Sequence, residues 1–156
     1  MNELDAWLET ISAWYKNRKH DQVETLKPLI LSPPKAIWGP MITDQQSKGV
    51  ACWLDGCLRL YKFYQHQADA DGAYQYLMFA YSKLQAVSCN PAAEQELVDW
   101  CLKRIQHLCV LALEFGNQQP NQKWQDQAQA LIESHVQFMA SLAPKHDQGL
   151  KNHRLQ

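Results

Sequence analysis

The side chains best suited to chemistry in this sequence are the cysteines at 52, 57, 89, 101 and 109 and the histidine at 135. Thiolates and imidazoles bind zinc when their spacing lets them converge, as in CxxC knuckles or paired histidines one helical turn apart. Cys52 and Cys57 lie five residues apart and Cys101 and Cys109 eight apart. Neither spacing is a ligand knuckle, so no metal site is expected. His135 falls on an apolar helical face between Leu131 and Phe138. An imidazole can act as acid or base near neutral pH, but on such a face it reads first as a half-buried residue with one hydrogen-bond partner. With Tyr74, Tyr81 and Cys109 it makes the best set for a ligand pocket inside a helical bundle. No GxSxG, Walker, HExxH or glycine-rich dinucleotide signature is present. No catalytic residue is assigned and no cofactor is expected.

Recognition chemistry is better represented. The cluster KNRKH at residues 16–20 could meet phosphate, yet it also suits the carbonyl end of the first helix, where cations are favoured. Lys103, Arg104 and His107 are too few to read a nucleic-acid groove. Six tryptophans stand at 7, 14, 38, 53, 100 and 124. Four fit apolar helical stripes. Trp100 lies toward the edge of its helix, and Trp38 shares with Met41 a proline-stiffened loop. Tryptophan is enriched at binding hot spots, so Trp38, Met41 and Trp100 are the candidate partner contacts.

These residues must be positioned by helices. The stretch 91–116 reads as one long central helix, with Asn90 as N-cap, Pro91 in the first helical position and Gly116 as the left-handed terminator. Leu97, Cys101, Ile105, Leu108, Ala112 and Phe115 recur in steps of four and three, the period of one helical face. Val98, Leu102, Cys109 and Leu113 widen that stripe. Ahead of it, periodicity predicts helices over 3–19, 22–31, 44–66 and 71–88, and after it one over 122–143 that ends at Pro144. Asp21 suits a cap for the second, in which Pro28 is expected to kink or split the helix. Residues 32–42, SPPKAIWGPMI, are apolar for a linker and should pack on the body. Thr43 with Gln46 forms a capping-box pattern. Gly49 and Gly56 are seven apart on one face and invite another helix to come close.

The expected fold is therefore all-α: an antiparallel helical bundle or stacked helical hairpins of five to six helices. Residues 1–144 would be a single helical domain and 145–156 a disordered tail. The aromatic-and-alanine pattern from Trp53 to Ala80 loosely resembles a tetratricopeptide helix pair. The later helices are longer than that repeat allows, and no self-similarity of about 34 residues appears, so no family is assigned.

Composition narrows the function classes. Net charge is −1, and without the last twelve residues it is −3. That is not the footprint of a nucleic-acid binder. No run of about 18 apolar residues suggests a membrane span. The first residues lack the basic start and apolar run of a secretory signal, and thiols in such a chain are expected to be reduced and buried, which places it in the cytoplasm. The leading expectation is a non-catalytic interaction module that binds a protein or peptide through an inter-helix groove or the 32–42 loop. A homodimer interface on the wide stripes fits as well. The rival is a small-ligand protein or enzyme with a pocket in the bundle, followed by a nucleic-acid-associated regulator using residues 16–20 and the tail.

Overall fold

Thr43 opens the helix against which its neighbours pack. Its hydroxyl accepts from the Gln46 backbone amide at 3.0 Å and caps α3, Asp44–His66. The computed structural model describes residues 2–17 and 23–155, with side chains through residue 142. Asp21 and most of the 16–20 cluster lie outside those residues. The fold is all-α. Among the described residues it holds six α-helices, one 3-10 turn and no strand. None of these helices is long and apolar enough to cross a membrane. Contacts group the chain into two units, Met1–Leu108 and Cys109–Gln156.

In the first unit α1, Glu3–Lys16, is capped by Asn2, whose side chain accepts from the Asp5 amide at 2.8 Å. It buries Leu4, Trp7, Ile11 and Trp14. The helix α2, Val23–Leu31, runs back along α3. Pro28 sits inside it without splitting it, because the helix needs to give up just one amide donor there. The glycines of α3 make this packing close. A Cβ on Gly56 would lie 2.2 Å from Ile30 Cδ1, and one on Gly49 would lie 2.9 Å from Ile37 Cγ2. Leu4 meets Gly49 and Tyr15 meets Cys52, so α1 and α3 run parallel. Asp69 caps α4, Ala70–Ser88, by accepting from the Gly72 amide at 2.9 Å. Trp53 faces Phe79 and Tyr64 stacks on Tyr76, which makes α3 and α4 antiparallel.

The helix α5 covers Gln95–Gln118 and all six residues of its expected stripe are buried. Both expected ends move. Asn90 instead closes a turn, its side chain accepting from the Ala92 amide at 3.0 Å, and Glu94 carries the first helical carbonyl, which accepts from Val98 N. Gly116 is helical rather than left-handed. It is a contact glycine of the second unit, where an added Cβ would come within 2.8 Å of the Trp124 carbonyl. The stripe is also narrower than expected, since Leu113 is exposed and Val98 and Leu102 are half-buried.

The last helix, α6, spans Gln122–Leu155. It runs on past Pro144, where the sequence pattern ends it. Proline there withholds one amide donor from the Ala140 carbonyl, the same deficit that α2 carries at Pro28. Trp124 and Ala128 are buried against α5, with the Phe115 and Trp124 rings edge to face at 5.4 Å. Further along, His135, Phe138 and Leu142 are half-buried.

Candidate functional site

The connection between α2 and α3 is a built structure. After the extended Pro34, residues Lys35–Trp38 make one 3-10 turn, closed by Ile37 N donating to Pro34 O and Gly39 N to Ala36 O, both at 3.2 Å. Gly39 takes φ +86°, which a side chain would resist, and an added Cβ would sit 2.7 Å from Leu97 Cδ2. The Gly39–Pro40 peptide bond is cis.

Four separate ties hold this loop. Ile37 is fully buried over Gly49. The Gln46 side-chain amide, itself buried, donates to the Ile37 carbonyl at 2.8 Å. Gln46 thus completes only half of the capping box, because its side chain is spent on the loop rather than on the Thr43 amide. Trp38 lies edge-on to Trp53 with ring centroids 4.7 Å apart. Glu94 grips the far end twice: its backbone amide donates to the Pro40 carbonyl at 3.1 Å, and its carboxylate accepts from the Ile42 amide. A carboxylate on an amide is among the stronger hydrogen bonds. Glu94→Ala is expected to raise hydrogen exchange at the Ile42 amide about tenfold, while exchange along α3 stays unchanged, since the lost bond contributes about 1–2 kcal/mol.

What these ties present is Met41, with 65% of its surface exposed. It borders a cleft of about 400 Å³ whose apolar walls are Leu4, Pro34, Ala36, Pro40 and Met41 itself, with Asn2 and Glu3 at the rim. Trp38 and Met41, paired as anchors in the sequence, therefore do different things. Trp38 is half-buried and fixes the loop, while Met41 is offered outward.

The other candidates are dispersed. Trp100 is half-buried on α5 with the Arg104 guanidinium 5.1 Å over its ring. Tyr74, half-buried, and Tyr81, buried, lie on α4 in the first unit. Cys109 is buried and His135 half-buried in the second unit, and burial lowers the His135 pKa. The thiols also divide. Cys57, Cys101 and Cys109 are buried, and burial pushes Cys101 up to about 12, whereas Cys52 is half-buried and Cys89 is exposed at the end of α4. Among the described residues no three His, Cys, Asp or Glu side chains stand together as metal ligands.

A second cleft was not apparent from the sequence. It measures about 300 Å³ and lies where the ends of α1 and α3 meet the start of α2. Trp14, Val23 and Phe63 form its walls, and Arg59, Lys62 and His66 its rim. Arg59 donates to Asp55 at 2.8 Å, and its guanidinium lies 4.8 Å over the Tyr15 ring. The Tyr15 hydroxyl donates to the Cys52 carbonyl at 3.3 Å, and burial raises its pKa strongly, with Asp55 adding to the rise. The spacing 59, 62, 66 was legible as one helical face. Its neighbours Trp14 and Val23 are supplied only by tertiary folding. No protein-family model, curated protein or solved structure matches this chain.

Proposed function

We propose that this protein is a non-catalytic interaction module that receives an apolar side chain of a protein partner in the cleft beside Met41. The observation that carries this reading is the contrast between Met41 and everything around it. A large flexible apolar side chain is left open to water on a loop whose flanking residues are all tied down. A thioether at such a place adapts to varied apolar surfaces. A fixed loop also loses little conformational freedom on binding, so more of the contact energy appears as affinity. The low net charge fits recognition by shape and apolar contact over long-range steering.

Met41→Asp is the sharp test, because the side chain is exposed and its loss should leave the fold intact. In a pull-down from the native host, the wild type is expected to retain one protein at stoichiometric level, and Met41→Asp to lose at least nine-tenths of it at unchanged helicity. Equal retention by both would sink the assignment of this loop as the binding surface.

A further inference from the structure

The geometry points to a second recognition site: the cleft of Trp14, Val23, Phe63, Arg59, Lys62 and His66 takes an acidic peptide segment of a partner, anchored by one apolar side chain. This inference rests on the reading of the protein as an interaction module, though not on Met41. The local charge is the first argument. The chain is acidic overall without its last twelve residues, yet among the described residues no carboxylate lines this cleft and three basic side chains do. Asp55 engages Arg59 from the side. The Lys62 ammonium is exposed and makes no ion pair or hydrogen bond among the described residues. His66 Nδ1 lies 2.7 Å from the Lys62 carbonyl, so it must donate there, and Nε2 is left without a partner among the described residues.

The apolar floor is the second argument. Helix carbonyl ends carry partial negative charge, and α1 and α3 both end here. They offset part of the cationic rim, so a bare anion should bind weakly. Trp14, Val23 and Phe63 supply what a bare anion cannot use. A space of about 300 Å³ lies at the lower limit for small-molecule pockets and suits a single large side chain. A leucine or phenylalanine seated there, with carboxylates on neighbouring residues, meets both features.

The surroundings favour a peptide over a nucleic acid. The adjoining cleft between α1 and α3 is lined by Asp5 and Glu9 as well as Lys16 and Lys48. A continuous phosphate backbone laid along α3 would meet those carboxylates, whereas a peptide can vary its charge. Lining positions 45, 48, 52, 59, 62 and 66 all fall on one face of α3. From Gln45 to His66 that face spans about 31 Å at 1.5 Å per residue.

The test uses the full chain, isotopically labelled, titrated with the peptide acetyl-Glu-Glu-Phe-Glu-Glu-amide. The expected result is saturable shifts of the amides over 59–66 and of the Trp14 indole. Replacing every Glu of the peptide by Lys, or its Phe by Ser, should abolish them. Both K62E/H66E and the milder K62Q/H66Q should weaken binding at least tenfold, and Met41→Asp should leave it unchanged. Equal binding to either double variant would overturn the site, as would inorganic phosphate or a 15-nucleotide oligothymidylate producing the same shifts at equal affinity. If the acidic peptide fails while Met41→Asp still abolishes partner capture, this inference falls and the loop reading stands.

Discussion

Trp53→Ala is expected to destabilise the first unit by about 4 kcal/mol. Truncating a buried tryptophan typically costs about 3–5 kcal/mol in lost transfer energy and residual cavity. Trp53 has none of its surface exposed, and it serves three neighbours at once. Its indole N–H donates to the Ile30 carbonyl at 2.9 Å, its ring supports Trp38 at 4.7 Å, and Phe79 lies 5.8 Å away on α4. Without it, the carbonyl in the last turn of α2 loses a buried partner, which adds to the cost. Trp53→Phe separates the contributions. It keeps most of the volume and loses the hydrogen bond, so about 1–3 kcal/mol is expected. Chemical denaturation at constant m-value measures both. The two variants differ in one further way. The alanine also removes the wall behind Trp38, so exchange across residues 37–42 should rise more than in the phenylalanine variant. A loss below about 1 kcal/mol for the alanine would mean that the aromatic cluster is not the keystone of the loop.

How far the sequence reveals this arrangement depends on the range of the interaction. Local signals are read correctly. Thr43 caps α3 as expected, and Asp69 caps α4 in the same way, because a side chain reaching an amide three residues on needs no knowledge of the fold. The α5 stripe from Leu97 to Phe115 is buried at every position, because a period of 3.6 decides which residues share a face. The failures are non-local. Asn90 and Pro91 make a good local start for α5, but Glu94 serves the Ile42 amide 52 residues away and the helix begins after it. Gly116 looks like a terminator because glycine is the usual one. It is required instead by the approach of α6, whose Trp124 carbonyl leaves no room for a side chain. Gln46 has two acceptable partners, and the buried Ile37 carbonyl, which has fewer alternatives, takes it.

The site divides in the same way. An apolar, proline-stiffened loop was legible in SPPKAIWGPMI, but not which of its large residues would face out. That depended on Trp53 offering Trp38 a ring to pack on. The basic cluster at 16–20 is legible because its residues are contiguous, while Arg59, Lys62 and His66 are spread through a helix and converge with Trp14 and Val23 only in three dimensions.

The same logic sets the sign of Gly56→Ala, where two effects oppose each other. Glycine inside a helix is less favourable than alanine by about 1 kcal/mol, so propensity alone predicts stabilisation. Against this, the new methyl would lie 2.2 Å from Ile30 Cδ1 and 2.9 Å from Cγ1. Ile30 is fully buried and cannot swing into solvent. Overpacking of a close-fitted core costs about 1–3 kcal/mol, and a contact this short belongs at the top of that range. The clash wins, and a net destabilisation of about 2 kcal/mol is expected by chemical denaturation. Ile30→Val supplies the control, because it deletes Cδ1, the nearer of the two atoms. Alone it should cost about 1 kcal/mol. Combined with Gly56→Ala it should cost less than the sum of the singles, a coupling of about 1 kcal/mol between residues 26 positions apart. Simple additivity would show that α2 can slide to relieve the contact. Sliding is the outcome with functional weight, because α2 leads directly into the loop that carries Met41. A displaced α2 would loosen that loop, and partner capture would fall in proportion to the shift rather than to the stability lost.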